Sequence, residues 1–278
     1  MLTLRESIGI RVASLVGVLG FVFFAPPTLL PLVVTTVGFG HFGLAFRYQA
    51  EGKHLTHTKL LILAVSFVLI MVIAFTEPFT ILIFINGIGF ITHFCLDEAR
   101  LLNGKHSLYT TLEALPFLVF VTGIFAEAYL IEDWYTPAML IAGITVLIYV
   151  ALMIRSGRIP NATSYSFYAW GLITFVAYNY VRFMPEKAGS VFWAVALLHF
   201  AIWYGFYWYK LQNAPEAKEK FVIRTLVINA VVVVLAALYY FQYPIPYLAL
   251  FLGAGFYITS LLHGISSIRP QELTASLR

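Results

Sequence analysis

The chain has 278 residues, is 61% hydrophobic and only 11% charged, and carries a formal net charge of +4. A soluble domain is typically about 25% charged, so this composition excludes an ordinary water-soluble globule and points to the bilayer. One cysteine, Cys95, excludes an internal disulfide and any cysteine-rich zinc or iron–sulfur site.

In chain order, the apolar runs predict helices at 7–24, 28–46, 59–75, 79–97, 108–130, 135–154, 164–181, 189–210, 220–241 and 246–266. Most approach the roughly 20 residues that carry a helix across about 30 Å of hydrocarbon. The first follows only Arg5 and Glu6 and lacks a small-residue cleavage signature, so it reads as a retained helix rather than a signal peptide. Pro26-Pro27, Glu77-Pro78, Glu132-Asp133 with Pro137, Pro185-Glu186 and Pro244-Ile245-Pro246 mark one set of turns. The other set is longer and polar, running from Arg47 to Lys59, Asp97 to Ser107, Arg155 to Ser164 and Lys210 to Lys220. Of the 17 lysines and arginines, all but Arg182 and Lys187 lie on that second side or at the termini. The bias makes that side cytoplasmic. The expected fold is therefore all-α: a polytopic membrane bundle of about 10 helices in hairpins, both termini cytoplasmic. Residues 1–278 form one transmembrane domain, with no polar stretch long enough for a separate soluble one. A bacterial inner membrane suits this pattern. The basic residues are dispersed among loops, which argues for topology and against nucleic acid as a partner, despite a pI near 9.1.

Four histidines interrupt the apolar runs near their cytoplasmic ends. His41 lies in Gly-Phe-Gly-His-Phe-Gly-Leu-Ala-Phe, His93 in Thr-His-Phe-Cys-Leu-Asp-Glu, His199 in Leu-Leu-His-Phe-Ala-Ile-Trp-Tyr and His263 in Ser-Leu-Leu-His-Gly-Ile-Ser-Ser. Intramembrane ionisable residues are costly and mark functional sites. One such histidine commonly does no more than hydrogen-bond a neighbouring helix. Four at one depth predict a shared metal site, since neutral imidazole is a good ligand for iron, copper and zinc. Asp97 follows His93 by one helical turn and can orient it or bind metal directly. Glu113 enters the fifth predicted helix at comparable depth and is the second supporting carboxylate. His54, His57 and His106 fall in polar loops and are read as solvated.

The aromatic share is 17%, much of it clustered around 165–180 and 200–209. Some of these rings form an interfacial belt. Trp170, Trp203 and Tyr204 lie deeper and predict an aromatic-walled cleft beside His199 for a long conjugated or isoprenoid molecule. Gly38 and Gly40, Gly87 and Gly89, and Gly253 and Gly255 each precede a histidine, as small residues that let helices approach closely. Asn86, Asn179 and Asn229 are expected to hydrogen-bond between helices.

The His-Phe-Gly-Leu-Ala-Phe run at His41 and the His-Phe-Cys-Leu-Asp run at His93 resemble the histidine motifs of the bacterial Brp/Blh-type membrane β-carotene dioxygenases. The resemblance covers four short patches. It implies iron held by His41, His93, His199 and His263, and cleavage of a carotenoid to retinal. The order of the two motifs is reversed here, and the third cluster carries only His199. The His-x-x-x-His and His-x-x-His-His clusters of membrane di-iron desaturases are absent from the sequence. Three function classes remain open. They are a metal-dependent oxygenase acting on a lipid-soluble substrate, a non-catalytic subunit or homo-oligomer of a membrane assembly carrying haem or pigment, and a small-molecule transporter.

Overall fold

The computed structural model describes residues 4–26, 29–52, 54–76, 135–156, 188–242 and 252–267, with short pieces of 81–97. Among them every regular element is a helix: α1 (Leu4–Phe24), α2 (Leu29–Glu51), α3 (His57–Thr76), α4 (Tyr135–Ser156), α5 (Ala188–Lys210), α6 (Pro215–Tyr240) and α7 (Ala254–Ser267). Residues 108–130 and 164–181, where two further helices are expected, lie outside the described residues. Among the described residues three helices are long and apolar enough to cross a membrane: Arg5–Phe24, Leu29–Glu51 and Pro215–Tyr239. Their outer faces carry large bare apolar side chains, among them Phe23, Phe24, Leu226 and Val227. Water-soluble proteins rarely expose contiguous apolar surface on that scale. The chain is a membrane protein.

Two boundaries differ from the sequence expectation for local reasons. α2 continues past 46 to Glu51, because Arg47 and Glu51 pair at i, i+4 with Nε 2.9 Å from Oε1 and extend the last turn. α6 starts at Pro215 rather than 220, with proline in its first turn, where a missing N–H costs nothing. Gln242, in the left-handed region at φ 55°, turns the chain away at the far end.

The chain divides into two compact units, residues 1–71 with 185–263, and residues 72–184 with 264–278. In the first, α5 packs against both α1 and α2, and α2 also packs against α6. At Gly205 on α5 a methyl would stand 2.9 Å from Ile10 of α1, so the glycine sets that close approach. Polar contacts bring the charged helix ends to one edge of this unit. Tyr209 donates to Glu6, Arg224 donates to Glu51 at 3.1 Å, and Lys59 donates to Gln49 at 3.3 Å.

Two stretches are buried without a break: Gly38, Phe39, Gly40, His41 and Phe42 on α2, and Ala196 to Phe200 on α5. Five consecutive buried residues cover every side of a helix, so both helices are enclosed at these levels. The glycines make this possible. A methyl at Gly38 would come within 2.6 Å of Phe256 and 3.0 Å of Phe200. One at Gly40 would meet the side chains of Asn229 and Tyr204. Phe256 of α7 then contacts Phe39 and Phe42 at centroid distances of 5.6 Å each, and Trp193 at 6.0 Å. Dispersion and fit hold such a core, since lipid tails are as apolar as the side chains.

In the second unit, α4 exposes Leu140, Leu147, Ile148 and Ile154. The described pieces of 81–97 are helical and bury Asn86, Gly87, Phe90, His93 and Phe94. A methyl at Gly264 would sit 3.5 Å from the Gly89 carbonyl oxygen and 3.6 Å from the His93 Cβ, ordinary contact for a close helix crossing.

Candidate metal centre

His41, His199 and His263 come from α2, α5 and α7 and are 0%, 3% and 2% exposed. The first unit brings them together. His41 Nε2 and His263 Nε2 are 3.0 Å apart, with ring centroids 4.7 Å apart and planes at 84°. The His199 ring lies 5.5 Å from that of His41 at 81°, and the two offer ligand atoms within 4.8 Å of each other. Burying three imidazoles in an apolar interior is costly unless each is hydrogen-bonded or bound to a metal.

The short nitrogen–nitrogen edge suits a hydrogen bond between the two rings. In the absence of a metal, one proton held between His41 and His263 satisfies both nitrogens. The same pair of nitrogens could instead hold a metal ion between them, with His199 close by. The donors fit a borderline transition metal, being all imidazole here with no thiol.

An aromatic wall surrounds the three rings. Phe200 lies 5.2 Å from His41, and Phe42 and Phe46 lie 5.2 and 6.0 Å from His263. Trp203 meets His41 in a T-shaped contact with centroids 4.4 Å apart and planes at 89°. Such a shell excludes water and lowers the local dielectric, and both tune a bound metal. Tyr204 donates to the Val37 carbonyl at 3.3 Å, one helical turn before His41.

In the second unit, His93 Nε2 stands 3.2 Å from Asp97 Oδ2, with side chains 3% and 15% exposed. Helical spacing puts the carboxylate one turn from the imidazole, the arrangement by which carboxylates orient ligating histidines. Glu113, Trp170 and Asn179 lie outside the described residues. His54 in the loop is exposed, and so is His57, which the sequence places in the loop but which is the first residue of α3.

Sequence reasoning passed over the phenylalanines of this wall. The signal was present: His41, His93 and His199 are each followed by phenylalanine, and Phe42, Phe94 and Phe200 are 1%, 3% and 0% exposed. Neighbours in a helix point about 100° apart. In a fully enclosed helix, then, each His-Phe pair supplies one polar and one apolar wall to adjacent spaces. Comparison with family models, with characterised proteins and with solved structures finds nothing that matches this chain.

Proposed function

We propose that this chain is an integral membrane metalloprotein that holds iron on histidine side chains and oxidises a lipid-soluble substrate of the carotenoid or isoprenoid class. The observation that carries the reading is the meeting of His41, His199 and His263 in the buried centre of one unit, with a 3.0 Å nitrogen–nitrogen edge. On sequence grounds the ligand set extends to His93, with Asp97 and Glu113 as supporting carboxylates. Bound iron would supply one-electron redox chemistry with oxygen. The protein's own share is to hold the imidazoles neutral and oriented, to keep water out with Phe42, Phe46 and Phe200, and to bound the approach to His41 with Trp203. Trp170 and Tyr204 belong to the substrate wall in this reading. The topology comes with it: ten spans, both termini cytoplasmic, in a bacterial inner membrane, with lipid as the route of substrate entry.

Metal analysis and visible absorption of the protein purified in mild detergent test this directly. Stoichiometric iron without an intense Soret or red band is the expected result. A strong pigment band would replace the oxygenase reading with that of a haem- or pigment-carrying subunit. Neither metal nor band would leave transport or scaffolding.

A further inference from the structure

The aromatic contacts of His41 continue in one direction. Trp203 lies 4.4 Å from His41, and Tyr207, one turn further along α5, lies 4.4 Å from Trp203. Tyr48 of α2 then stacks on Tyr207 at 6.1 Å with planes only 2° apart. Two helical stripes make this path. His199, Trp203 and Tyr207 recur every fourth residue on α5, and His41, Leu44 and Tyr48 lie on one face of α2. Both run to the charged edge of the unit. There the Arg224 guanidinium is 5.8 Å from the Tyr48 ring centre and pairs with Glu51 at 3.0 Å.

The chemistry of the rings sorts by direction. Elsewhere the three histidines meet the phenylalanine rings of Phe42, Phe46 and Phe200. Phenylalanine does not readily give up an electron, whereas tryptophan and tyrosine do. A packing role alone asks only for ring volume and would accept phenylalanine along the path as well. A tyrosine that loses an electron must also shed its phenolic proton, which hydrocarbon cannot accept. Tyr48 meets that need, because it lies beside Arg47, Glu51 and Arg224 at the polar edge.

We propose that Trp203, Tyr207 and Tyr48 form an electron relay between the histidine site and the aqueous edge of the bundle. Its purpose rests on the redox reading of that site. A one-electron deficit beside His41 is filled from Trp203, and Trp203 is refilled from Tyr48 by tunnelling across the intervening Tyr207 ring, which keeps its phenolic proton, while the phenolic proton of Tyr48 passes to water. A water-soluble thiol restores Tyr48 by giving one electron and one proton, and two thiyl radicals so formed couple to a disulfide. The relay gives reducing equivalents a way in and stray oxidising equivalents a way out that spares the ligands.

The test runs the relay inward and needs no metal. Photogenerated tris(bipyridine)ruthenium(III), which stays in water, oxidises the full-length protein in detergent, and peptide mass spectrometry maps the oxidised residues. Trp203 is 5% exposed and out of reach, whereas Trp208 is 51% exposed and reports direct attack. Oxidation at Trp203 is expected in the native chain. It is expected to be lost in the Tyr48→Phe/Tyr207→Phe variant, which keeps the ring volumes, while Trp208 oxidation is unchanged. An unmodified Trp203 in the native chain, or equal Trp203 oxidation in the variant, overturns the relay. Either result leaves the metal assignment standing, and a protein that retains no iron refutes that assignment without touching this measurement.

Discussion

His41 is the residue on which most of the site turns. It touches His263, His199, Trp203 and Phe200, and it is completely buried. If the imidazoles exist to hold a metal, His41→Ala and His263→Ala each abolish metal retention through gel filtration while the purified chain still folds. If they exist only to bond one another, both variants lose stability and metal content is zero from the start. Interhelical hydrogen bonds in membranes average only about 0.6 kcal/mol, so a pure bonding role predicts a small stability loss. Asp97 makes a finer probe. Should its contact with His93 Nε2 orient a ligand, Asp97→Asn weakens metal affinity by about 10–100-fold, the usual cost of removing such a support. Titration with iron(II), read by metal content against free iron, distinguishes that result from no change.

The helices explain how much of this was legible. Apolar runs, proline turns and polar loops marked α1, α3, α4 and α5 to within a few residues, because a span needs little more than length and hydrophobicity. Depth was legible too, since the position of His41, His199 or His263 within its run fixes its level. Rotation was not. A helix apolar all round has no preferred face, so composition cannot say whether His199 points at α2 or at lipid. The glycines supplied part of that missing direction, as the close approach expected at Gly38 and Gly40 is the one observed. This gives a prediction with a built-in control. Gly38→Ala gains about 1 kcal/mol of helix propensity. It must also push back two enclosed phenylalanine rings, and overpacking of this kind costs about 1–3 kcal/mol. Net destabilisation and metal loss are expected. Gly17→Ala, with nothing within 4 Å of the added methyl, collects the propensity gain alone. Thermal unfolding in detergent should therefore lower the midpoint for the first and hold or raise it for the second. Equal behaviour would mean that α2 is not tightly enclosed at Gly38.

For the chain as a whole, the decisive property is which side of the membrane its charged edge faces. In the first unit, Glu6, Gln49, Glu51, Lys59, Tyr209 and Arg224 meet at one edge, so α1, α2, α5 and α6 have their charged ends together. That is the arrangement the lysine and arginine bias requires if this edge is cytoplasmic. The ten spans proposed above would add a parity condition. The loops holding Lys105 and Asn213 must lie on one side and the turn holding Lys187 on the other, and a miscounted single span between them would reverse one of the three. Cysteine scanning in a Cys95→Ser background reads this out, because a membrane-impermeant maleimide modifies only cysteines on its own side. In intact cells Lys187→Cys should react, whereas Lys105→Cys and Asn213→Cys should react only after lysis. Labelling of Asn213→Cys in intact cells would turn the charged edge outward. The entry point for thiol reductants at Tyr48 would then face the outside of the cell, where the cytoplasmic thiol pool cannot serve it.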